Sequence, residues 1–340
     1  MTRKPEKSFL TLANYLCAFN SMLVNSNSTS YQNFFNSINS RITSSGILPN
    51  QRRDHVDYNL IRNCLHSAWV TEYLMLITRK LIREGEFIRL SNNWNCIQAY
   101  YIFYYSTQAL AVAKGHPKPD SHPKTQNIFC TLWGRAVILP PWTFSCPCEG
   151  FLNVPPGIHV DTSIHPWTNC DENSAWSLAG KALYTTRREK ILKKEREKRT
   201  GKRRARMKAW REIEKQRIIK GKDPREKPNF RLPHLNHEEK QKIDTNLRPF
   251  TIMDYLYRLR IKTNYEDSDM FTDGPTNESD SIKVRDYFCR LASSTIFLHE
   301  LTICNLVGRN RFTNWVRTWI EQNMLQDIQI GLRSRQRFFN

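Results

Sequence analysis

The sequence predicts a mainly α-helical protein: a helical bundle with a Pro/Trp-rich insertion and a basic helical arm. Three observations carry that expectation. Apolar residues recur at helical spacing in several separate stretches, prolines crowd one internal segment, and most of the net charge of +20 sits in another. Hydrophobic residues fill 39% of the 340 positions and aromatics 11%, enough for a sizeable core, which excludes wholesale disorder. Such a length suits one large domain with an insertion, or two domains.

Tyr31, Phe34, Phe35, Ile38 and Ile42 have the spacing of an amphipathic helix. Residues 44–53 read as a loop, with Gly46 and Pro49 as breakers. Residues 1–53 therefore form an N-terminal helical region. Trp69, Tyr73, Leu76, Ile77 and Leu81 make one stripe of a helix expected to stop at Gly85, a glycine placed as a C-terminal cap. A second helix is expected over about 93–114, ending at Gly115. Ile97, Tyr100, Tyr101, Phe103, Tyr104, Leu110 and Val112 make it apolar nearly all round, so it should lie centrally with Tyr101 and Tyr104 inside. These two helices, in 54–115, are the first half of the bundle.

From 116 to 180 nine prolines, Pro117 to Pro166, exclude a long regular helix. Residues 137–139 suit a short strand. Trp133, Trp142, Phe144, Phe151, Trp167 and Trp176 are too apolar for a linker, so this insertion should be ordered. Residues 181–231, the basic arm, hold 22 Lys and Arg against 7 Asp and Glu, a net of +15. The arm should be helical in pieces, broken at Gly201 and Gly221. The second half of the bundle, 232–340, should contain helices over about 249–269 and from near Ser281 to Gly308. A last helix carries Phe312, Trp315, Val316, Trp319 and Ile320.

The charge points to an anionic partner, nucleic acid before an acidic protein or a membrane surface. Arg187, Arg188, Lys193, Lys194, Arg203, Arg204, Arg206 and Lys208 occupy several helical faces and are expected to follow a phosphate backbone without reading its sequence. Trp210 would stack on an unpaired base. The plain alternative is a solvated helix with pairs such as Glu189 and Lys193.

Nine cysteines, odd in number and scattered, suit reduced thiols in a cytoplasmic protein better than a disulfide framework. Residues 8–22 follow Lys4 and Lys7 as a signal peptide would, but Asn14 and Asn20 interrupt them, so no leader is expected. No run approaches the roughly 18 apolar residues of a membrane span. Cys130, Cys146, Cys148, His159, His165 and Cys170 gather in the insertion. Zinc ligands and ordinary thiols are both open readings there, and the single residue between Cys146 and Cys148 favours the second. No metal site is therefore assigned and no cofactor is expected, because no phosphate-cradling glycine loop occurs either.

Ala99, Tyr100, Tyr101, Ile102, Phe103 and Tyr104, then Ala109 to Gly115 and the Ser121–His122 pair, resemble the second helix of the HEPN superfamily, prokaryotic nucleotide-binding and RNA-cleaving helical domains. Residues 254–260 and Asn264, Tyr265, Glu266 and Asp267 resemble a later helix of that family. Together the two stretches span about a third of the chain. The resemblance implies a helical bundle, a nucleic-acid ligand (RNA ahead of DNA), and a subunit of a prokaryotic defence or toxin-like system with a protein partner or a second copy. It also implies a role for His122 at a phosphate surface. Catalytic members share an Arg followed after four to six residues by a His. Here Arg290 and His299 are nine apart, on opposite helix faces, and Arg62 and His66 enclose only three residues. Arg231 and His237 have the spacing but lie near prolines.

Two function classes follow: a binding-only protein, and a metal-independent endoribonuclease. For the second, Arg260, Asn264 and Asp267 share one helical face, where Arg would neutralise a phosphate and the others orient it, with His122 or His299 completing the set. A buried polar network that fixes helix register is the structural alternative for that face.

Overall fold

The computed structural model describes residues 4–23, 31–53, 55–134, 138–265, 269–323 and 330–339. In chain order its helices are α1 (Lys4–Ser21), α2 (Tyr31–Ser44), α3 (Tyr58–Leu81), α4 (Gly85–Ala113), α5 (His122–Trp133) and α6 (Ala175–Ile219). There follow α7 (His237–Thr245), α8 (Ile252–Tyr265), α9 (Asp269–Thr272), α10 (Glu278–Val307), α11 (Arg309–Asn323) and α12 (Leu332–Arg335). Strands β1 (Ser145–Cys148) and β2 (Phe151–Asn153) pair antiparallel as the one sheet among the described residues. The fold is mainly α, as the periodicity predicts.

The centre is the packing of α4 against α10, with α3 on the other side of α4. Both central helices are apolar nearly all round. Tyr100, Ile102 and Phe103 of α4 and Phe288, Ile296, Phe297 and Leu298 of α10 are fully buried. Each such side chain contributes roughly 1.5–3 kcal/mol through area removed from water. Tyr101 and Tyr104, expected inside, are only half-buried, because they lie on the edge of α4 that faces α5 and α8 rather than α10.

Buried polar groups fix how the helices meet. Trp69 of α3 donates through Nε1 to Glu300 of α10 at 2.8 Å. Arg335, fully buried, pairs with Glu72 at 2.6 Å and with Glu300 at 2.7 Å, which fastens the C-terminal helix to both. Fully formed ionic networks of this kind specify one arrangement of helices, because breaking any member leaves a buried charge. Trp142 donates to Thr295 at 2.7 Å, and Trp133, Trp142 and Phe144 belong to the common core. The Pro/Trp-rich segment is thus woven into the bundle.

Three local expectations change. Gly85 opens α4 instead of capping α3, which ends at Leu81. A Cβ there would sit 2.5 Å from the Glu278 side chain, which would have to swing aside. Residues 122–133 of the proline-rich stretch form α5, since Pro123 falls in the first turn, where a missing N–H costs nothing. Ile138 lies in a turn, Leu139 in a bend and Val137 outside the described residues, while the strands come later, at Ser145–Cys148 and Phe151–Asn153. Residues 8–22 belong chiefly to α1, within the helical N-terminal region that was expected, and its Tyr15 and Phe19 pack on Tyr255 of α8.

Candidate nucleic-acid interface

Helix α6 has 45 residues and no break at Gly201, around which lies open space. At 1.5 Å per residue it is about 68 Å long. One glycine costs roughly 1 kcal/mol, which the Lys, Arg and Glu residues around it, good helix formers, offset. Its root is core: Leu178, Ala179, Ala182 and Leu183 are fully buried. Gly180 permits that approach, because a Cβ would meet Leu152 at 2.6 Å. Arg187 also belongs to the root. It is 1% exposed, pairs with Asp244 at 2.7 Å and donates to the Arg248 carbonyl at 2.7 Å. It is a structural anchor, so its expected place in the interface is corrected.

Beyond Ile191 the helix leaves the body. Gly221, at φ +69°, ends it, and residues 222–236 return along its side. Glu214 accepts from the backbone N–H of Arg225 at 2.7 Å and from its Nε at 2.8 Å. Arg199 donates to the Pro233 carbonyl at 2.8 Å. Lys198 and Lys202 converge on Glu239 at 3.1 and 2.6 Å and hold its carboxyl down at about 2. Trp210 packs edge-on against Phe230, with ring centres 6.3 Å apart, so this ring braces the arm and is half-buried rather than free to stack.

Not every cation on the arm is open. Arg188 pairs with Glu149, and Lys194 with Glu197 at 3.2 Å. Among the described residues, Lys193, Arg203, Arg204, Arg206, Lys208 and Arg211 form no ion pair, and all but Arg203 are exposed. A long helix with unneutralised cations on successive turns is an electrostatic track for a polyanion.

At the root this track meets a cavity of about 410 Å³ between α5, α6 and α8. Lys190, Lys193, Arg248, Arg258 and Lys262 line it with two carboxylates, Glu189 and Asp254. Both carboxylates hold arginines in place: Glu189 pairs with Arg258, and Asp254 takes Arg248 at 2.5 and 2.8 Å. Sequence reasoning missed this groove. The Arg258–Lys262 spacing on one face of α8 was its only legible trace.

Next to the cavity lies an aromatic cluster on α4, α5 and α8. Tyr100 and His122 share a hydrogen bond of 2.8 Å between the hydroxyl and Nδ1. The His122 ring lies 4.8 Å from Tyr104 and 5.4 Å from Tyr257. Arg260 stands over Tyr100, Tyr101 and Tyr257 at 5.6, 5.3 and 5.8 Å, each a cation–π distance. Burial, then the Arg260 charge, lowers the His122 pKa, so the imidazole is neutral at pH 7. Burial drives the Tyr100 hydroxyl well up, which keeps it protonated.

Of the proposed catalytic set, the structure brings together only Arg260 and His122. Asn264 is exposed one turn beyond Arg260, and Asp267 lies outside the described residues. His299 is removed from the set: it is fully buried. Trp133 donates to its Nε2 at 3.0 Å and its Nδ1 faces Ser106 Oγ at 2.8 Å. Burial presses its pKa down to about 3, so it stays neutral and out of reach of any substrate.

Arg62 and His66, in contrast, line one cavity of about 480 Å³ between α3 and α11, with Asn63, Asn314 and Trp315. Burial, then Arg62, lowers the His66 pKa. All nine cysteines are free thiols. No three His, Cys, Asp or Glu side chains gather as a metal site among the described residues.

No described helix is long and apolar enough to cross a membrane. Comparison with family models, curated proteins and solved structures finds no match.

Proposed function

We propose that the chain binds nucleic acid along α6 and the groove at its root, single-stranded RNA ahead of DNA, as a binding protein. The observation that carries this reading is the run of unpaired cations from Arg203 to Arg211 on a helix held away from the body. Single-stranded RNA is favoured because the track ends beside half-exposed tyrosines and Arg260, surfaces on which unpaired bases stack. The setting is intracellular, where nine thiols stay reduced. A prokaryotic defence or toxin-like assembly, with a protein partner or a second copy, rests on the HEPN resemblance alone. The test is titration of labelled single-stranded RNA, single-stranded DNA and duplex of one sequence. Tightest binding to single-stranded RNA supports the proposal, and failure of all three to bind at moderate salt refutes it.

A second reading, metal-independent endoribonuclease, is favoured by the Arg62–His66 cavity. A neutral His66 has the protonation state of a general base for a ribose 2′-hydroxyl, and Arg62 the charge to hold the phosphate. Incubation of labelled RNA in EDTA separates the readings. Intact RNA supports binding alone, and cleavage lost in both Arg62→Ala and His66→Ala supports the enzyme.

A further inference from the structure

On the opposite side of Arg258 and Lys262 from the groove, α1, α6 and α8 enclose a larger cavity of about 580 Å³. Five cations line it: Lys4, Lys7, Lys181, Arg258 and Lys262. No Asp or Glu is among the described residues of its wall. The Ser8 hydroxyl adds a donor, whereas that of Thr11 is already given to the Lys7 carbonyl at 2.8 Å. Trp167, 40% exposed, forms one side, with the Lys7 ammonium 5.7 Å from its ring centre.

Two polar atoms in this wall are left without a partner by the fold. Tyr255 is 1% exposed, and its hydroxyl has no hydrogen-bond partner among the described residues. Arg258 Nε is likewise buried without a partner. Leaving a buried donor unsatisfied is unfavourable, and two such donors belong to residues of this wall. Among the described residues that line it, the cavity offers donors and positive charge, with Glu189 reaching Arg258 from the groove side. Its complement is therefore an anion rich in acceptor oxygens, and its volume is that of a small-molecule site, larger than one phosphate requires.

We propose that this cavity binds a small anion carrying two or more linked phosphates. Lys7 and Lys181 neutralise the phosphates, Arg258 (whose Nη2 is held by Glu189) and Tyr255 donate to their oxygens, and Trp167 flanks the remainder of the ligand. The site goes beyond the nucleic-acid reading, since it lies apart from the distal arm and accepts a ligand too short to follow it.

The two sources of this chemistry are an inorganic oligophosphate and a nucleoside polyphosphate, so inorganic tripolyphosphate and ATP, both without divalent metal, are the probes. The full chain carrying Arg203→Gln, Arg204→Gln and Arg206→Gln supplies the background and suppresses binding along the arm. Calorimetric titration at physiological salt should show one site per chain. Adding Lys7→Ala with Lys181→Ala should weaken it at least about tenfold, the loss of charge-assisted bonds. Tyr255→Phe, which removes only the hydroxyl and keeps the ring packing, should weaken it several-fold. ATP binding more tightly than tripolyphosphate assigns the Trp167 wall to the base, and equal affinity assigns the cavity to the phosphates alone. No binding of either probe, or binding indifferent to both sets of cavity substitutions, overturns the proposal. RNA affinity that survives in the cavity variants keeps its fate separate from that of the arm.

Discussion

Arg187 and Asp244 meet at the root of the basic helix, Nη2 to Oδ1 at 2.7 Å, with the arginine side chain 1% exposed. The pair joins α6 to α7, and Arg187 also reaches the carbonyls of Asp244 and Arg248, each at 2.7 Å. The first arginine of the charged run therefore holds the arm to the body, whereas Arg204, Arg206 and Arg211 beyond Ile191 face outward.

Arg187→Ala should cost roughly 3–5 kcal/mol, because it strands the carbonyls and a half-buried carboxylate without their donor. Urea denaturation measures this. RNA affinity of the folded variant should remain near wild type. A loss below about 1 kcal/mol, or a large loss of RNA affinity in folded protein, would contradict the anchoring role.

Arg260 is held by three tyrosine rings. Arg260→Ala should lower stability by about 1–2 kcal/mol, the scale of a partly desolvated cation–π contact. It should also weaken RNA binding less than loss of the arm charges does. Should purified protein cut RNA, cleavage that vanishes in this variant and persists in His66→Ala would return catalysis to the Arg260 face.

His299 supplies a pH signature. Its pKa falls from the ordinary 6.5 to about 3 on folding. A depressed folded-state pKa adds stability that is complete above the unfolded value and is lost as pH falls towards the folded one. Stability should thus drop by about 1.4 kcal/mol per pH unit between about 6.5 and 3 from this residue. His299→Gln should flatten that share of the slope, as read by denaturant midpoints across the range. An unchanged slope would mean that His299 is not the group responsible.

The central helices were legible because burial imposes its pattern on sequence: the apolar girdle from Ile97 to Val112 is what a helix surrounded by others requires. Gly85 misled because a glycine between two helices reads as the cap of the first, whereas it is the opening residue of the second. Gly201 misled in the opposite sense, since good helix formers around it outweigh one glycine. Charge counting found the arm but could not separate Arg187, bound to Asp244, from Arg204, which faces water. Proximity in sequence gave no sign that His122 would meet Tyr257, or that Lys7, Lys181 and Arg258 would share one cavity. Those groupings are made only by the packing of α4, α5 and α8, and of α1, α6 and α8.

The salt dependence of RNA binding decides whether the distal arm follows a phosphate backbone. Wild type and the Arg203→Gln, Arg204→Gln, Arg206→Gln variant should be titrated with two unrelated single-stranded RNAs over a range of salt. Each phosphate contact contributes about 0.7 to the steepness of log affinity against log salt on a single strand. The variant should therefore bind more weakly to both RNAs, with a slope shallower by about 2. Equal affinities and equal slopes for the two proteins would contradict the account.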